Sequence, residues 1–232
     1  MRLDKHLASV GTRSEVKKIL KTGVITVNGE TVKKGDFQVK ENDIVLCNGE
    51  PVIYKEFIYL LLNKPAGYVS AVWDKKYPVV VDLIPDEYKR YEPYPVGRLD
   101  IDTEGLLIIT NDGELTHNLT SPKKDLDKKY FTVTDIPLEE RDKALFSSGM
   151  DLGDFVAKPA TLELTENPLE AYITISEGKF HQVKRMCEKC GKKVTYLKRV
   201  SIGCLELDNN HEIGDIIEYS KDELLDKIYA IK

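Results

Sequence analysis

Gly97-Arg98-Leu99-Asp100-Ile101-Asp102-Thr103-Glu104-Gly105-Leu106-Leu107-Ile108-Ile109-Thr110-Asn111-Asp112-Gly113 sets acidic side chains beside an arginine, just ahead of an apolar run. Leu106 to Thr110 has the length of a buried strand, and Asn111-Asp112-Gly113 is a turn behind it. The acidic part reads in two ways. It is an exposed turn feeding a buried strand, or it holds a carboxylate nucleophile. On an extended stretch Asp100 and Asp102 share one face, while Leu99 and Ile101 point the other way. A carboxylate nucleophile must be ionised, accessible and rigidly placed, and a nearby cation such as Arg98 favours ionisation. Gly97 and Gly105 allow tight backbone on either side. On these grounds Asp100 and Asp102 are equal candidates, with Glu104 behind them.

Working outward, the flanks are rich in strands. Phe57 to Leu62 is a continuous apolar run ended by Asn63-Lys64-Pro65-Ala66-Gly67. Strands are predicted at Tyr130 to Thr134, Thr161 to Leu164, Ala171 to Ile175, Val194 to Leu197, Cys204 to Leu207 and Ile216 to Tyr219. Helices are predicted at Glu114 to Leu119, stopped at Ser121-Pro122, at Glu139 to Phe146, and at Phe180 to Cys190. Many strands with a few inserted helices, and no strand–helix alternation, argue for an α+β fold with a mainly antiparallel sheet flanked by helices.

Upstream lies a separate small module. Leu3, Leu7, Ala8 and Val10, then Val16, Ile19 and Leu20, have helical spacing, with Thr12 or Ser14 available as a cap. Val24 to Val27 is a strand, Asn28-Gly29 a hairpin turn, and Ile44-Val45-Leu46 closes the unit. The expected organisation is a small domain of two helices and a small sheet at 1–48, a linker at 49–56 and a larger domain at 57–232.

The 232 residues have a formal net charge of −5, which taken alone argues against a nucleic-acid partner. The distribution reverses that impression. Residues 1–40 hold nine basic side chains (Arg2, Lys5, Arg13, Lys17, Lys18, Lys21, Lys33, Lys34, Lys40) against four acids. Residues 179–199 hold eight against one. Local patches decide where a polyanion binds. Lysines and arginines on two short helices suit a phosphate backbone, and structured RNA is read mainly by shape and backbone. No apolar run approaches the ~20 residues that span a bilayer. Four cysteines are too few for a disulfide scaffold, so the chain is expected in the cytoplasm. Cys187-x-x-Cys190 lies in a predicted helix without a second pair, and reads as ordinary helix residues.

Arg2-Leu3-Asp4-Lys5-x-Leu7-Ala8 and Thr12-Arg13-Ser14-x-Val16-x-x-Ile19-Leu20-x-x-Gly23-x-Ile25-x-Val27-Asn28-Gly29 resemble an S4-type RNA-binding domain. Gly97-Arg98-Leu99-Asp100-x-Asp102-Thr103-x-Gly105-Leu106-Leu107 resembles the signature of pseudouridine synthases. Leu62-Asn63-Lys64-Pro65-x-Gly67-Tyr68-Val69, Lys128-Lys129-Tyr130 and Leu197-x-Arg199-x-x-Ile202-Gly203 agree, in order. Glu177-Gly178-Lys179-Phe180-His181-Gln182-Val183-Lys184-Arg185-Met186 looks most like the small-subunit (16S) rRNA branch, the RsuA family.

The resemblance breaks the tie between the aspartates. It implies that Asp100, the acid directly after Arg-Leu, is the nucleophile. Tyr130 would then pack on the target base and Lys184 would pair with the catalytic acid. Arg98, Asp102 and Thr103 are expected to support them. RNA contacts are expected from Arg2, Lys5, Arg13, Lys17, Lys18, Lys21, Lys64, Lys179 and Arg185. His181 is read as a fold or RNA contact. Lysine at 184 departs from the arginine frequent in the wider superfamily, and so keeps the charge with less fixed geometry. The implied reaction needs no cofactor and no metal. The expected partner is 16S rRNA or a small-subunit assembly intermediate, and the expected state is a monomer. Two alternatives are the same chemistry on 23S rRNA or another structured RNA, and an inactive RNA-binding assembly factor.

Overall fold

The computed structural model describes residues 1–121, 125–208 and 210–230. They form two compact units, Met1–Phe57 with Pro85–Glu92, and Ile58–Ile84 with Pro93–Lys232.

The first unit is built on α1 (Leu3–His6), a 3-10 turn at Leu7–Ser9, and α2 (Arg13–Thr22). Thr12 and Glu15 make a capping box at the start of α2. Thr12 N donates to Glu15 Oε2 at 2.8 Å, and Glu15 N donates to Thr12 Oγ1 at 3.4 Å. β1 (Ile25–Val27) turns into β2 (Glu30–Thr31) through Asn28 and Gly29. Both have positive φ, 51° and 86°, the backbone a two-residue hairpin of this hand needs. β3 (Val45–Cys47) and β4 (Glu50–Pro51) complete an antiparallel sheet in the order β2-β1-β3-β4. The strand β4 lies in Asn48-Gly49-Glu50-Pro51, which by sequence reads as the edge of this module, and so falls inside the 49–56 stretch expected as a linker. Leu3, Leu7, Val16, Leu20 and Ile25 form the core. The short α3 (Asp86–Lys89) groups with this unit.

The second unit contains β5 (Tyr59–Lys64), β6 (Tyr94–Pro95), β7 (Glu104–Thr110), α4 (Gly113–Thr120), β8 (Lys128–Thr134) and α5 (Glu140–Ser148). It continues with β9 (Met150–Asp151), β10 (Val156–Ala157), β11 (Thr161–Leu164), β12 (Glu170–Ile175) and α6 (Gln182–Lys189). The last elements are β13 (Val194–Ile202), β14 (Leu205–Glu206), β15 (Ile216–Tyr219) and α7 (Lys221–Tyr229). Its main sheet runs β11-β12-β8-β13-β7-β5-β15, with β14 on β13 and β6 on β7. Every pair is antiparallel except β13 with β7. At that seam Gly105 has φ +105°, and a Cβ there would lie 2.2 Å from Arg199 O. Only glycine fits.

The α+β class with a mainly antiparallel sheet is the one expected. Three local readings change. The strand expected at 57–62 runs from Tyr59 to Lys64, with all six residues buried. It lies between β7 and β15, so the polar pair Asn63-Lys64 continues the strand instead of ending it. α4 runs to Thr120 with Ser121 at its C-cap, whereas Pro122 lies outside the described residues. α7 was missed. Its signal is Ser220-x-x-Glu223, a capping box in the structure, followed by Leu224 and Ile228 on one face. Those two side chains join Leu106, Ile108, Leu115 and Leu119 in one core cluster.

Among the described residues of this unit, one ion pair is buried on both sides. Lys192 Nζ donates to Asp142 Oδ2 at 2.8 Å, with side-chain exposures of 6% and 4%. Asp142 Oδ2 also accepts the Glu139 N–H at 2.8 Å at the start of α5. Removing one partner strands the other charge away from water. Lys192→Met is therefore expected to destabilise the fold by about 3–5 kcal/mol. Urea unfolding checks it, and a loss under about 1 kcal/mol contradicts it.

Candidate active site

The site starts from a turn, not a strand. Asp100 O accepts the Thr103 N–H at 3.1 Å, closing Asp100–Thr103 into a tight turn ahead of β7. The extended reading of 100–102 is thus corrected: the two aspartates are neighbours on a turn. Leu99 anchors it from below, buried at 6% exposure. Ser70 Oγ donates to Leu99 O at 2.9 Å and accepts from Leu99 N at 3.0 Å. Gly67 N donates to Ile101 O at 2.7 Å.

Lys64 supplies the rest of the support. Its side chain is fully buried, and Nζ donates to Thr103 O at 2.8 Å and Pro65 O at 3.0 Å. The carbonyls of Asp100 and Ile101 lie within 3.3 and 3.4 Å of the same nitrogen. Lys64 was expected to touch RNA. The structure corrects this, because a side chain with no exposed surface cannot meet a phosphate. It holds the turn from inside. Nothing in the Asn-Lys-Pro sequence distinguishes that role from an exposed one; the buried central strand does.

Arg98 is exposed and has no hydrogen bond or ion pair among the described residues. Lys184, projecting from α6, does the pairing: Nζ is 3.0 Å from Asp100 Oδ2 and 2.6 Å from Asp102 Oδ1. His181 Nε2 adds a contact of 3.5 Å to Asp100 Oδ1. His181 has φ +51° at the N-cap of α6, and its ring stacks on exposed Phe180 at 3.8 Å. Partial burial of Lys184 disfavours its charge, but its bonds to Asp102 and Asp100 outweigh that and raise its pKa above the ordinary lysine value. Burial likewise works against ionised Asp102, yet Lys184 holds that carboxyl below its usual range.

The two aspartates differ in shelter. The side chain of Asp100 is 26% exposed and that of Asp102 is 67% exposed. Arg98, Asp100, Thr103, Tyr130, Lys184 and Leu197 line one pocket, and Asp102 does not line it. Tyr130 comes from β8, opposite Arg199 of β13, and is 7% exposed. Thr103 is 1% exposed, and its hydroxyl has no hydrogen-bond partner among the described residues.

The basic residues fall into groups. Arg13, Lys17 and Lys21 are exposed at four-residue spacing on α2, with Lys18 beside them. Arg2 is paired with Asp4, and exposed Lys5 lies 5.7 Å from the Tyr54 ring centroid. Lys179 is exposed at the pocket. Arg185, expected on RNA, is instead engaged internally. It pairs with Asp154, donates to Leu152 O at 2.6 Å, and lies over the Phe155 ring. Cys187 is buried in α6, and burial pushes its thiol up to about 12, so it holds no reactive thiolate near neutral pH.

A sheltered carboxylate on a clamped turn, a lysine bonded to it and a tyrosine in the same pocket are what the motif resemblance implies. Residues 58–189 match the family described as RNA pseudouridylate synthase, and residues 1–45 match the S4 domain. The chain belongs to the RNA pseudouridylate synthase family. It is 43% identical to an uncharacterized RNA pseudouridine synthase of Bacillus subtilis (strain 168), YtzG, over 97% of each chain. It is 39% identical to the ribosomal small subunit pseudouridine synthase A of Pasteurella multocida (strain Pm70), over 97% of this chain and 98% of that one. A solved structure described as a pseudouridylate synthase superposes with a TM-score of 0.68 at 35% identity, covering 97% of this chain and 98% of that chain. The general reaction of the family is isomerisation of uridine in RNA.

Within that family the Lys64 clamp makes a separable prediction. Lys64→Met is expected to lower the turnover of pseudouridine formation at least tenfold while leaving RNA affinity within about threefold. A loss confined to affinity would return Lys64 to RNA contact. The clamp also has a signature in pH. Burial pushes the Lys64 ammonium down from 10.5 to about 8. Between those values the unfolded chain binds a proton that the folded chain lacks, so stability rises with pH across that window. The urea midpoint is therefore expected to climb more from about pH 7.5 to 9.5 in the unsubstituted protein than in Lys64→Met. Equal climbs contradict it.

Proposed function

We propose that this chain isomerises a specific uridine of 16S small-subunit rRNA to pseudouridine, with Asp100 as the nucleophile. The observation supporting it is the placement of the Asp100 carboxylate, bonded to Lys184, in the pocket that Tyr130 lines. A uridine is extruded from its stack into that pocket, at a cost of a few kcal/mol. Asp100 attacks C6 of the uracil ring or C1′ of the ribose. The glycosidic bond breaks, the base turns while Tyr130 holds it by stacking, C5 bonds to C1′, and the bond to Asp100 breaks to restore its carboxylate. The proton on C5 then leaves. Lys184 holds the Asp100 carboxyl group in position through their 3.0 Å contact. Asp102 takes part of the charge of Lys184 and stays outside the pocket. Thr103 supports the turn between them.

The 16S target draws its support from the relatives named ribosomal small subunit pseudouridine synthase A, including those of Salmonella typhimurium and Haemophilus influenzae, at 36% and 38% identity. The first unit, with its basic stripe on α2, holds the RNA backbone. Asp100, Tyr130 and Lys184 all come from one chain, which suits a monomer. None of the described helices is long and apolar enough to cross a membrane. A ribosomal RNA substrate places the activity in the cytoplasm.

Asp100→Asn is expected to reduce pseudouridine formation by more than a thousandfold and leave RNA affinity within about threefold. Asp102→Asn is expected to keep measurable activity. Pseudouridine mapping on bare 16S rRNA, bare 23S rRNA and small-subunit assembly intermediates tests both nucleophile and target. An active Asp100→Asn sinks the nucleophile, and modification of 23S alone sinks the target. Replacing Arg13, Lys17 and Lys21 together by Glu is expected to weaken rRNA binding at least tenfold. It should also flatten the plot of log affinity against log salt by about two to three units. An unchanged slope removes α2 from the RNA interface.

A further inference from the structure

The segment that leaves β5 returns on itself as a closed loop before the 3-10 turn at Val80–Leu83. Val69 and Val79 form a bridge at its base, where Val69 N donates to Pro78 O at 2.9 Å and Val80 N to Val69 O at 3.0 Å. Ser70 and Gly67 tie that base to the turn bearing Asp100, through Leu99 and Ile101. At the tip, Asp74 Oδ1 accepts the N–H groups of Lys76 and Tyr77 at 2.8 and 2.9 Å. The one carboxylate of the loop tip is thereby spent on its own backbone.

This well-fastened loop presents apolar surface to solvent. Trp73 is 73% exposed, Val72 59% and Tyr77 44%. Lys75 and Lys76 are exposed beside them, and Lys76 Nζ lies 4.9 Å from the Tyr77 ring centroid. Scattered surface hydrophobics need no explanation. Three large ones within six residues, interleaved with lysines and fastened to the residue before Asp100, do. Trp73 follows Ser70 by three residues, so its backbone lies at most about 11 Å from the clamp. Arg98, exposed and without a hydrogen bond or ion pair among the described residues, lines the pocket.

We propose that this loop is a second RNA contact, in which the Trp73 indole stacks on an unpaired base flanking the target uridine while Lys75 and Lys76 meet adjacent phosphates. The inference rests on the reading that the chain acts on RNA. Extruding a uridine leaves its neighbours without a stacking partner, and an exposed indole replaces one such stack. Aromatic rings set among lysines suit a single-stranded segment, since every base has a face to stack and every linkage a charge. Two exposed lysines beside the exposed aromatic rings, with the tip's one carboxylate spent on its own backbone, match a polyanion, which is why RNA is favoured over a protein.

Trp73 is the only tryptophan of the 232 residues, so its emission reports on this loop alone. Titrating the full chain with 16S rRNA is expected to quench that emission over the same range in which the RNA binds. Trp73→Ala is expected to weaken binding about tenfold and raise KM with little change in kcat. Trp73→Phe, which keeps a stacking ring, is expected to stay within about threefold, and both variants should keep the thermal midpoint. Unchanged emission together with unchanged affinity of Trp73→Ala overturns the proposal, even if the protein makes pseudouridine. Emission that responds to ribosomal proteins and not to bare rRNA makes the loop a protein contact and also overturns it. A chain that neither binds nor modifies RNA overturns both this inference and the function it rests on. An inactive Asp100→Asn with a quenched Trp73 supports both.

Discussion

A buried ammonium facing backbone carbonyls is the constraint on which the site depends. Lys64 has no exposed surface, and its nitrogen takes carbonyl groups on both sides of Asp102. Such carbonyls carry partial negative charge that water would otherwise solvate. Gathered around one cation they fix the backbone of the turn, and the side chains of Asp100 and Asp102 then have only their own rotamers to choose. Burial works against the charge, which is why the Lys64 ammonium sits at about 8. The fold accepts that penalty in exchange for a rigid turn. The turn lies at the mouth of β7, beside the seam where Gly105 lets the backbone of β13 approach.

Rigidity of the turn matters because Lys184 is shared. One ammonium serves two carboxylates, so the trio carries a net negative charge, and the shorter bond goes to Asp102. A guanidinium would grip one carboxylate by two parallel bonds. A lysine instead forms a point charge that two acids can hold at once. Asp102 thus helps keep Lys184 in place while Asp100 lines the pocket. The difference in shelter between the acids, 26% against 67% exposure, gives each a separate part in the chemistry proposed.

Legibility followed the range of the interactions. Local ones could be read: the Thr12–Glu15 capping box, the Asn28-Gly29 hairpin, and the strands at 161–164 and 216–219. The chain order of Asp100, Tyr130 and Lys184 and their grouping at one site were readable only through motif resemblance, because β8 and α6 lie far along the chain from the turn and no local pattern links them. Lys64 was misread because its residue type favours solvent, and only a strand covered on both faces overrides that preference. The cation on the two acids, Lys184, lies 84 residues beyond Asp100 in the chain, a distance no local pattern spans. Helix α7 had a readable cap and was passed over.

Charge shows the same separation between what is local and what is global. The total of −5 describes solubility, whereas the surfaces an RNA would meet are basic. Not every basic residue belongs to them. Lys64, Lys192 and Arg199 are buried, and Arg185 is committed to Asp154 and Leu152. These side chains hold the turn, the start of α5, the central seam and the α6 support in position. Among those that remain exposed are the stripe on α2, Lys179 and Arg98 at the pocket, and the lysines of the Trp73 loop. Counting lysines and arginines along the sequence therefore overstates the RNA-facing charge. The cations that shape the site and the cations that meet a polyanion are different residues, and burial is what sorts one set from the other.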